Sequence, residues 1–124
     1  MHEGALTEDL FKHVIIHAKE AHARRVTRVK VAIGALSDAT PESIRFYWET
    51  MAPGTIAEGA VLEFASTPGT AMCPSCGEEF EIEELYAVCP KCQKFPIRVT
   101  GGNRVHLSSL EVETDDEKHA HIHE

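Results

Sequence analysis

An apolar run long enough to cross a bilayer is missing from this 124-residue chain, and cysteine is missing outside two short pairs. An excess of positive charge is missing too: 12 Lys and Arg stand against 20 Asp and Glu, a formal charge of −8. The first absence excludes a membrane span. The third argues against a phosphate backbone as partner, because nucleic-acid modules carry a basic stripe. The nearest candidate, Arg24-Arg25 with Arg28 and Lys30, reads more simply as a solvated helix end and strand face. Charge runs through residues 1–16, so no secretory leader is expected, and reduced cysteines in the cytoplasm follow. No nucleophile–base pair, phosphate loop or paired carboxylates can be picked out, which points to a carrier and not an enzyme.

What is present is concentrated in the cysteines. Cys73-Pro74-Ser75-Cys76 and Cys89-Pro90-Lys91-Cys92 are two C-x2-C pairs separated by one short segment. Four thiolates at that spacing close a tetrahedral shell around Zn²⁺ and leave no open position for chemistry, so zinc is expected as scaffold. Each pair resembles a zinc-ribbon knuckle, whose turn brings backbone N–H groups toward the sulfurs. Gly77 follows the first pair where positive φ is wanted; Gln93 holds that place in the second, at a cost of roughly 1 kcal/mol. A structural zinc contributes on the order of 10 kcal/mol and absorbs it. A glutaredoxin-type dithiol would need one pair ahead of a helix, whereas here the motif is duplicated among turns.

Along the chain, apolar residues Leu6, Leu10, Phe11, Val14, Ala18 and Ala21 predict an amphipathic helix over 5–22, with Ile16 an exception on its polar side. Residues 26–33 alternate as a strand burying Val29, Val31 and Ile33. Thr40-Pro41-Glu42 starts a second helix, in which Ile44, Tyr47, Trp48 and Met51 form the buried stripe and Phe46 covers a neighbouring edge. A short strand follows over 60–65, then a break at Thr67-Pro68-Gly69. Residues 78–84 alternate like a ribbon arm, and Gly101-Gly102 makes the matching break. Residues 105–112 form a returning strand whose phase shifts at Ser108-Ser109. The expected fold class is α+β: a small mixed three-stranded sheet with two helices plus an inserted zinc-ribbon module. The expected organisation is an α+β domain over 1–68, the ribbon over 69–100, the returning strand over 101–113 and a disordered acidic His-rich tail over 114–124.

The amino terminus carries a second metal chemistry. In Met1-His2-Glu3, a free α-amino group, the amide nitrogen of residue 2 and the His2 imidazole can form fused chelate rings, with the Glu3 amide as a further planar donor. Deprotonated amides favour square-planar Ni(II) or Cu(II). A short motif alone leaves chance open.

These pieces occur in an order that resembles a known family. They are Met1-His2-Glu3 before a helix, residues 31–37, Pro41-Glu42-Ser43, residues 58–63, the two cysteine pairs and residues 109–113. The chain is similar, from Met1 to about Glu113, to hydrogenase-maturation nickel metallochaperones of the HypA/HybF type. Gly4-Ala5 and Gln93 depart from the usual pattern. The resemblance implies a cytoplasmic protein that carries Ni²⁺ on Met1, His2 and Glu3, with structural Zn²⁺ on Cys73, Cys76, Cys89 and Cys92. It implies delivery to the [NiFe]-hydrogenase large subunit, with urease as a further client in some bacteria, alongside a GTP-hydrolysing accessory protein. Neither nucleic acid nor membrane is expected as a partner, and the ribbon offers a route to a homodimer. A zinc-ribbon adaptor or nucleic-acid-associated module without metal delivery stands as the alternative.

The remaining histidines are less readable. His13 and His17 lie one helical turn apart, and packing against the sheet is expected over metal binding. His119, His121 and His123 form a tail among acids, read equally as a loose metal store or a solvated end.

Overall fold

The computed structural model describes residues 3–85 and 87–115, and the backbone of 119–123. Two helices and seven strands follow in the order α1 (Glu3–Glu20), β1 (Ala23–Gly34), α2 (Pro41–Met51), β2 (Val61–Thr67), β3 (Gly69–Met72), β4 (Glu79–Ile82), β5 (Arg98–Gly101), β6 (Val105–Thr114) and β7 (His119–His123). Chain contacts divide these into two compact units. One takes in residues 1–32, 39–65 and 106–124; the other takes in residues 33–38 and 66–105. Among the described residues, no helix is long and apolar enough to cross a membrane.

The first unit is α+β. α1 buries Thr7, Leu10, Val14 and Ala18, the stripe that its periodicity dictates, and leaves Ile16 exposed. α2 begins at a capping box: the Thr40 hydroxyl accepts from the Ser43 N–H, the Ser43 hydroxyl answers the Thr40 N–H, and Pro41 fills the first turn. Its Ile44 and Trp48 are buried, and Phe11 of α1 meets the Trp48 indole edge-on at 5.1 Å. Phe46 does not cover the core. It stands 64% exposed with its ring edge-on to Tyr47, because two residues from both Ile44 and Trp48 is about half a turn, which puts it on the opposite side of the helix from their stripe.

Strand order in the larger sheet is β2-β1-β6-β7, so the returning strand pairs beside β1 as expected. Val26, Val29, Val31, Leu107, Leu110 and Val112 are all buried. In β6 the buried positions change phase between Ser109 and Leu110, which is where the sequence pattern slips. Three of the four strands were expected; β7 was not. The tail was expected to be disordered; of it, the backbone of His119–His123 pairs antiparallel with Ser109–Glu113. An otherwise open edge of β6 satisfies its backbone groups by this pairing, which demands little of side-chain hydrophobicity.

The second unit holds the smaller sheet, ordered β4-β3-β5. β3 escaped notice in the sequence because Gly-Thr-Ala-Met carries little strand propensity; antiparallel partners on both sides define it. Residues 33–38 belong with this unit through three backbone hydrogen bonds: Gly34 N–H to Arg104 O, Ala35 N–H to Thr67 O and Leu36 N–H to Gly102 O, at 2.7–2.8 Å. Gly34 and Gly102 make that approach feasible. A Cβ on Gly34 would sit 2.3 Å from the Gly102 carbonyl, and one on Gly102, at φ +76°, would sit 2.2 Å from Pro68 O.

Candidate metal centre

The first cysteine pair follows a ribbon strand, and the second lies in the connection between β4 and β5. Cys73 directly follows β3, and Cys76 lies three residues before β4, so the first pair is the turn of the β3–β4 hairpin. Inside that turn the Cys73 N–H donates to Glu78 O at 2.9 Å and the Gly77 N–H to Cys73 O at 2.7 Å. The second pair repeats the pattern, with Cys89 N–H to Lys94 O at 3.2 Å and Gln93 N–H to Cys89 O at 2.8 Å. Gly77 at φ 79° and Gln93 at φ 58° occupy equivalent left-handed positions. The knuckle geometry is therefore kept where glycine is replaced.

These two turns face each other. All four Sγ atoms lie within 4.8 Å of one another, with Cys73–Cys92 and Cys76–Cys89 each at 3.6 Å. Tetrahedral zinc with Zn–S bonds of about 2.3 Å separates its sulfurs by about 3.8 Å, whereas a disulfide needs about 2.05 Å. The sulfurs are free thiols at ion-shell spacing, so the set fits one tetrahedral metal ion. Cys73 and Cys89 are buried, Cys92 is half-buried and Cys76 is exposed.

The turns also tune the thiols. Burial pushes the Cys73 thiol up, but the N–H groups of Cys76 and Ser75 and the sulfurs of Cys92 and Cys76 outweigh it, bringing it down to about 6. Cys89 is lowered chiefly by the N–H of Cys92, which approaches its sulfur at 3.5 Å. The Glu78 N–H favours the Cys76 thiolate, yet burial and the sulfurs of Cys89, Cys73 and Cys92 prevail and push it up to about 12. Cys92 is raised as well, because burial and the Cys73 and Cys89 sulfurs outweigh the Lys94 N–H. Backbone N–H groups thus favour the thiolate at the first cysteine of each knuckle, and a bound divalent ion would hold all four as thiolates. With four sulfurs around it, such an ion would staple the two turns together and have no vacant position for substrate.

The amino-terminal candidates are placed only in part. Met1 and His2 lie outside the described residues. Glu3 opens α1, and its carbonyl accepts from the buried Thr7 hydroxyl at 2.7 Å. Gly4 packs close to α2: a Cβ there would lie 3.2 Å from the Tyr47 ring. His13 is exposed instead of packed on the sheet. Its ring lies 6.4 Å from His17, whose Nδ1 is 3.6 Å from the Glu20 carboxylate. Among the described residues, no metal-holding group of three or more His, Cys, Asp or Glu is formed other than the four cysteines.

The arginines of the suspected basic patch are paired. Arg24 and Arg25 reach the Glu113 carboxylate at 2.6 and 2.9 Å, and Arg28 reaches Glu111 at 3.2 Å and Glu63 at 3.5 Å. The alternation of charge on adjacent strands could have signalled these pairs, but only once β1 and β6 were known to be neighbours.

Comparison with known proteins bears on this arrangement. A family model described as hydrogenase/urease nickel incorporation, metallochaperone, HypA matches residues 1–112. The hydrogenase maturation factor HypA 2 of Bradyrhizobium diazoefficiens is 42% identical over 113 residues, spanning 91% of this chain and 100% of the relative. The hydrogenase maturation factor HypA of Dehalococcoides mccartyi strain CBDB1 is 39% identical over 117 residues, 94% of this chain and 97% of the relative. Among solved structures, the solution structure of the Ni metallochaperone HypA from Helicobacter pylori superposes with a TM-score of 0.76 at 28% identity. It covers 93% of this chain and 100% of that one.

Proposed function

The chain belongs to the HypA family of hydrogenase/urease nickel-incorporation metallochaperones, and on that premise we propose that it binds Ni(II) at its free amino terminus and delivers it during [NiFe]-hydrogenase maturation. The reading is supported above all by a family match that runs from the first residue. Met1 would contribute its α-amino nitrogen, His2 its amide and imidazole nitrogens, and Glu3 its amide nitrogen and carboxylate.

The start of α1 suits this role. The first four N–H groups of a helix have no intrahelical acceptor, so the Glu3 amide can be metallated without breaking a helical hydrogen bond. The Thr7 hydroxyl on the Glu3 carbonyl and the fit of Gly4 against Tyr47 would hold the root of the site while the ligands ahead of it remain exchangeable. Ni(II) near the positive end of a helix dipole is disfavoured, but amides that ionise on binding bring compensating negative charge.

Cys73, Cys76, Cys89 and Cys92 would hold Zn²⁺ as scaffold, with no open position for transfer chemistry. The partners are then a GTP-hydrolysing accessory protein and the large subunit of [NiFe]-hydrogenase in the cytoplasm, with urease a further candidate client. The thiols and the acidic balance suit neither redox turnover nor nucleic-acid binding.

Isothermal calorimetry on untagged, zinc-loaded protein tests the assignment. One tight Ni(II) equivalent is expected, and it should vanish on adding a single residue ahead of Met1 or in His2→Ala, with circular dichroism unchanged. Affinity should also fall as pH drops through about 6.5, where protons compete for imidazole. Retention of the tight equivalent in both variants would place nickel elsewhere.

A further inference from the structure

Two histidines of α1 are metal-ligating residues that the proposed function leaves unused. Val14, Ile15 and Ile16 separate His13 from His17, so the two stand about 40° apart around the helix and about 6 Å apart along it. This i, i+4 spacing is the one by which a helix offers two imidazoles to a single ion. Hydrolytic zinc helices place a Glu directly after the first His as general base. Here Val14 stands in that place, fully buried, so the pair is equipped to bind an ion and not to hydrolyse with it.

The surroundings suit an ion. His13 is exposed, and His17 is half-buried beside the apolar stripe of Leu10, Val14 and Ala18. The ring centroids are 6.4 Å apart, with the ring planes at 85°. An ion bonded to nitrogen at about 2.1 Å lies about 3.2 Å from that ring's centroid, so two rings on one tetrahedral or octahedral ion stand about 4.6–5.3 Å apart. Rotation of the exposed His13 side chain closes the difference of about 1–2 Å. His17 is the anchor. Its Nδ1 lies 3.6 Å from the Glu20 carboxylate, which fixes the ring and leaves Nε2 to ligate. Asp9, exposed one turn ahead of His13, and Glu20 bracket the pair with negative charge. The cation beside His13 in sequence, Lys12, is itself paired with Glu8 at 3.2 Å.

We propose that His13 and His17 form a second transition-metal site on the solvent side of α1, taking one divalent ion of the imidazole-preferring class, Ni(II) among them. Imidazole donors select Ni(II), Cu(II) or Zn(II) over Mg²⁺ or Ca²⁺. Two protein ligands leave the other positions to water, so the ion is held more weakly than by a full chelate and exchanges readily. The proposal rests on helical spacing and donor chemistry and stands independently of amino-terminal nickel delivery. From Glu3 to His13 is about 15 Å along one helix axis, so a single element can carry a reserve ion behind the one it delivers.

The test uses full-length, untagged, zinc-loaded protein titrated with Ni(II) alone. The variant His119→Gln/His121→Gln/His123→Gln removes the tail imidazoles and should still show a weaker equivalent after the tight one. Adding either His13→Gln or His17→Gln to it should abolish that weaker equivalent and keep the tight one, because a pair chelates only when both members are present. Glutamine is a good helix former, so circular dichroism should not change. A chain extended by one residue ahead of Met1 should lose the tight equivalent and keep the weaker one, which makes failures of the two sites distinguishable. A second measurement needs no histidine substitution. Ni(II) in an imidazole and water field is paramagnetic, whereas planar amide-bound Ni(II) is not. In the extended chain, Ni(II) should therefore broaden the amide NMR signals of residues 12–18. Loss of the weaker equivalent in the tail variant, its survival in either added variant, or broadening that spares residues 12–18 overturns the proposal.

Discussion

At the scale of single residues, two glycines with positive φ show how local surroundings decide the cost of the same substitution. Gly77 and Gly102 have φ of 79° and 76°, yet a Cβ at Gly77 meets nothing within 4 Å while one at Gly102 lands 2.2 Å from Pro68 O and 2.5 Å from Gly69 Cα. Gly77→Ala carries only the left-handed penalty of about 1–2 kcal/mol, which Gln93 already bears at the equivalent position of the second knuckle. Gly102→Ala adds backbone displacement and should cost about 3 kcal/mol or more. Urea denaturation of the zinc-loaded variants checks the ranking; equal midpoints would remove the close approach as its cause. The glycine at 102 was legible in sequence as a break in the chain, but its role as a contact surface was not. That role depends on Pro68 and Gly34, more than thirty residues distant along the sequence.

At the scale of elements, β1 and β6 are joined outside their backbone ladder by carboxylate–guanidinium pairs, and these carry a pH signature. Pairing with Arg25 and Arg24 holds the Glu113 carboxyl below its ordinary value. The folded chain therefore takes up that proton less readily than the unfolded one. The stabilisation is complete above the ordinary carboxylate range, near about 4.3, and is lost as pH falls through the lowered value. Glu113→Gln should flatten the decline of the denaturation midpoint below about pH 4.3, and parallel wild-type and variant curves there would refute the linkage. The elements differ in how far they could be read from sequence. α2 was plain because its start signal is contiguous: Thr40, Pro41 and Ser43 satisfy the orphan N–H groups within one turn. β1 and β6 were plain because valines and leucines mark their buried faces. β3 and β7 were not, since each is made a strand by its neighbours: β3 by β4 and β5, and β7 by the edge of β6.

At the scale of the whole molecule, the four-cysteine shell was legible because its ligands come as two local turns, and local spacing is what a sequence displays. Its consequence is that metal and fold should separate by unit. Treating the protein with a strong chelator should expose four thiols to a thiol reagent and loosen the two knuckles of residues 73–94, while the helical dichroism of α1 and α2 persists. Four thiols already reactive before chelation, or loss of helix in step with the metal, would contradict this. One feature of the backbone bears on what happens next. Thr67 and Gly102 hydrogen-bond to consecutive residues, Ala35 and Leu36, so the long excursion that carries both knuckles leaves and returns at one spot. Its ends stay tethered when the ion departs, and the entropy of closing that loop does not have to be spent again. Recapture then becomes a short-range rendezvous of two turns on a common leash, and a chain stripped of its ion keeps the means to be recharged.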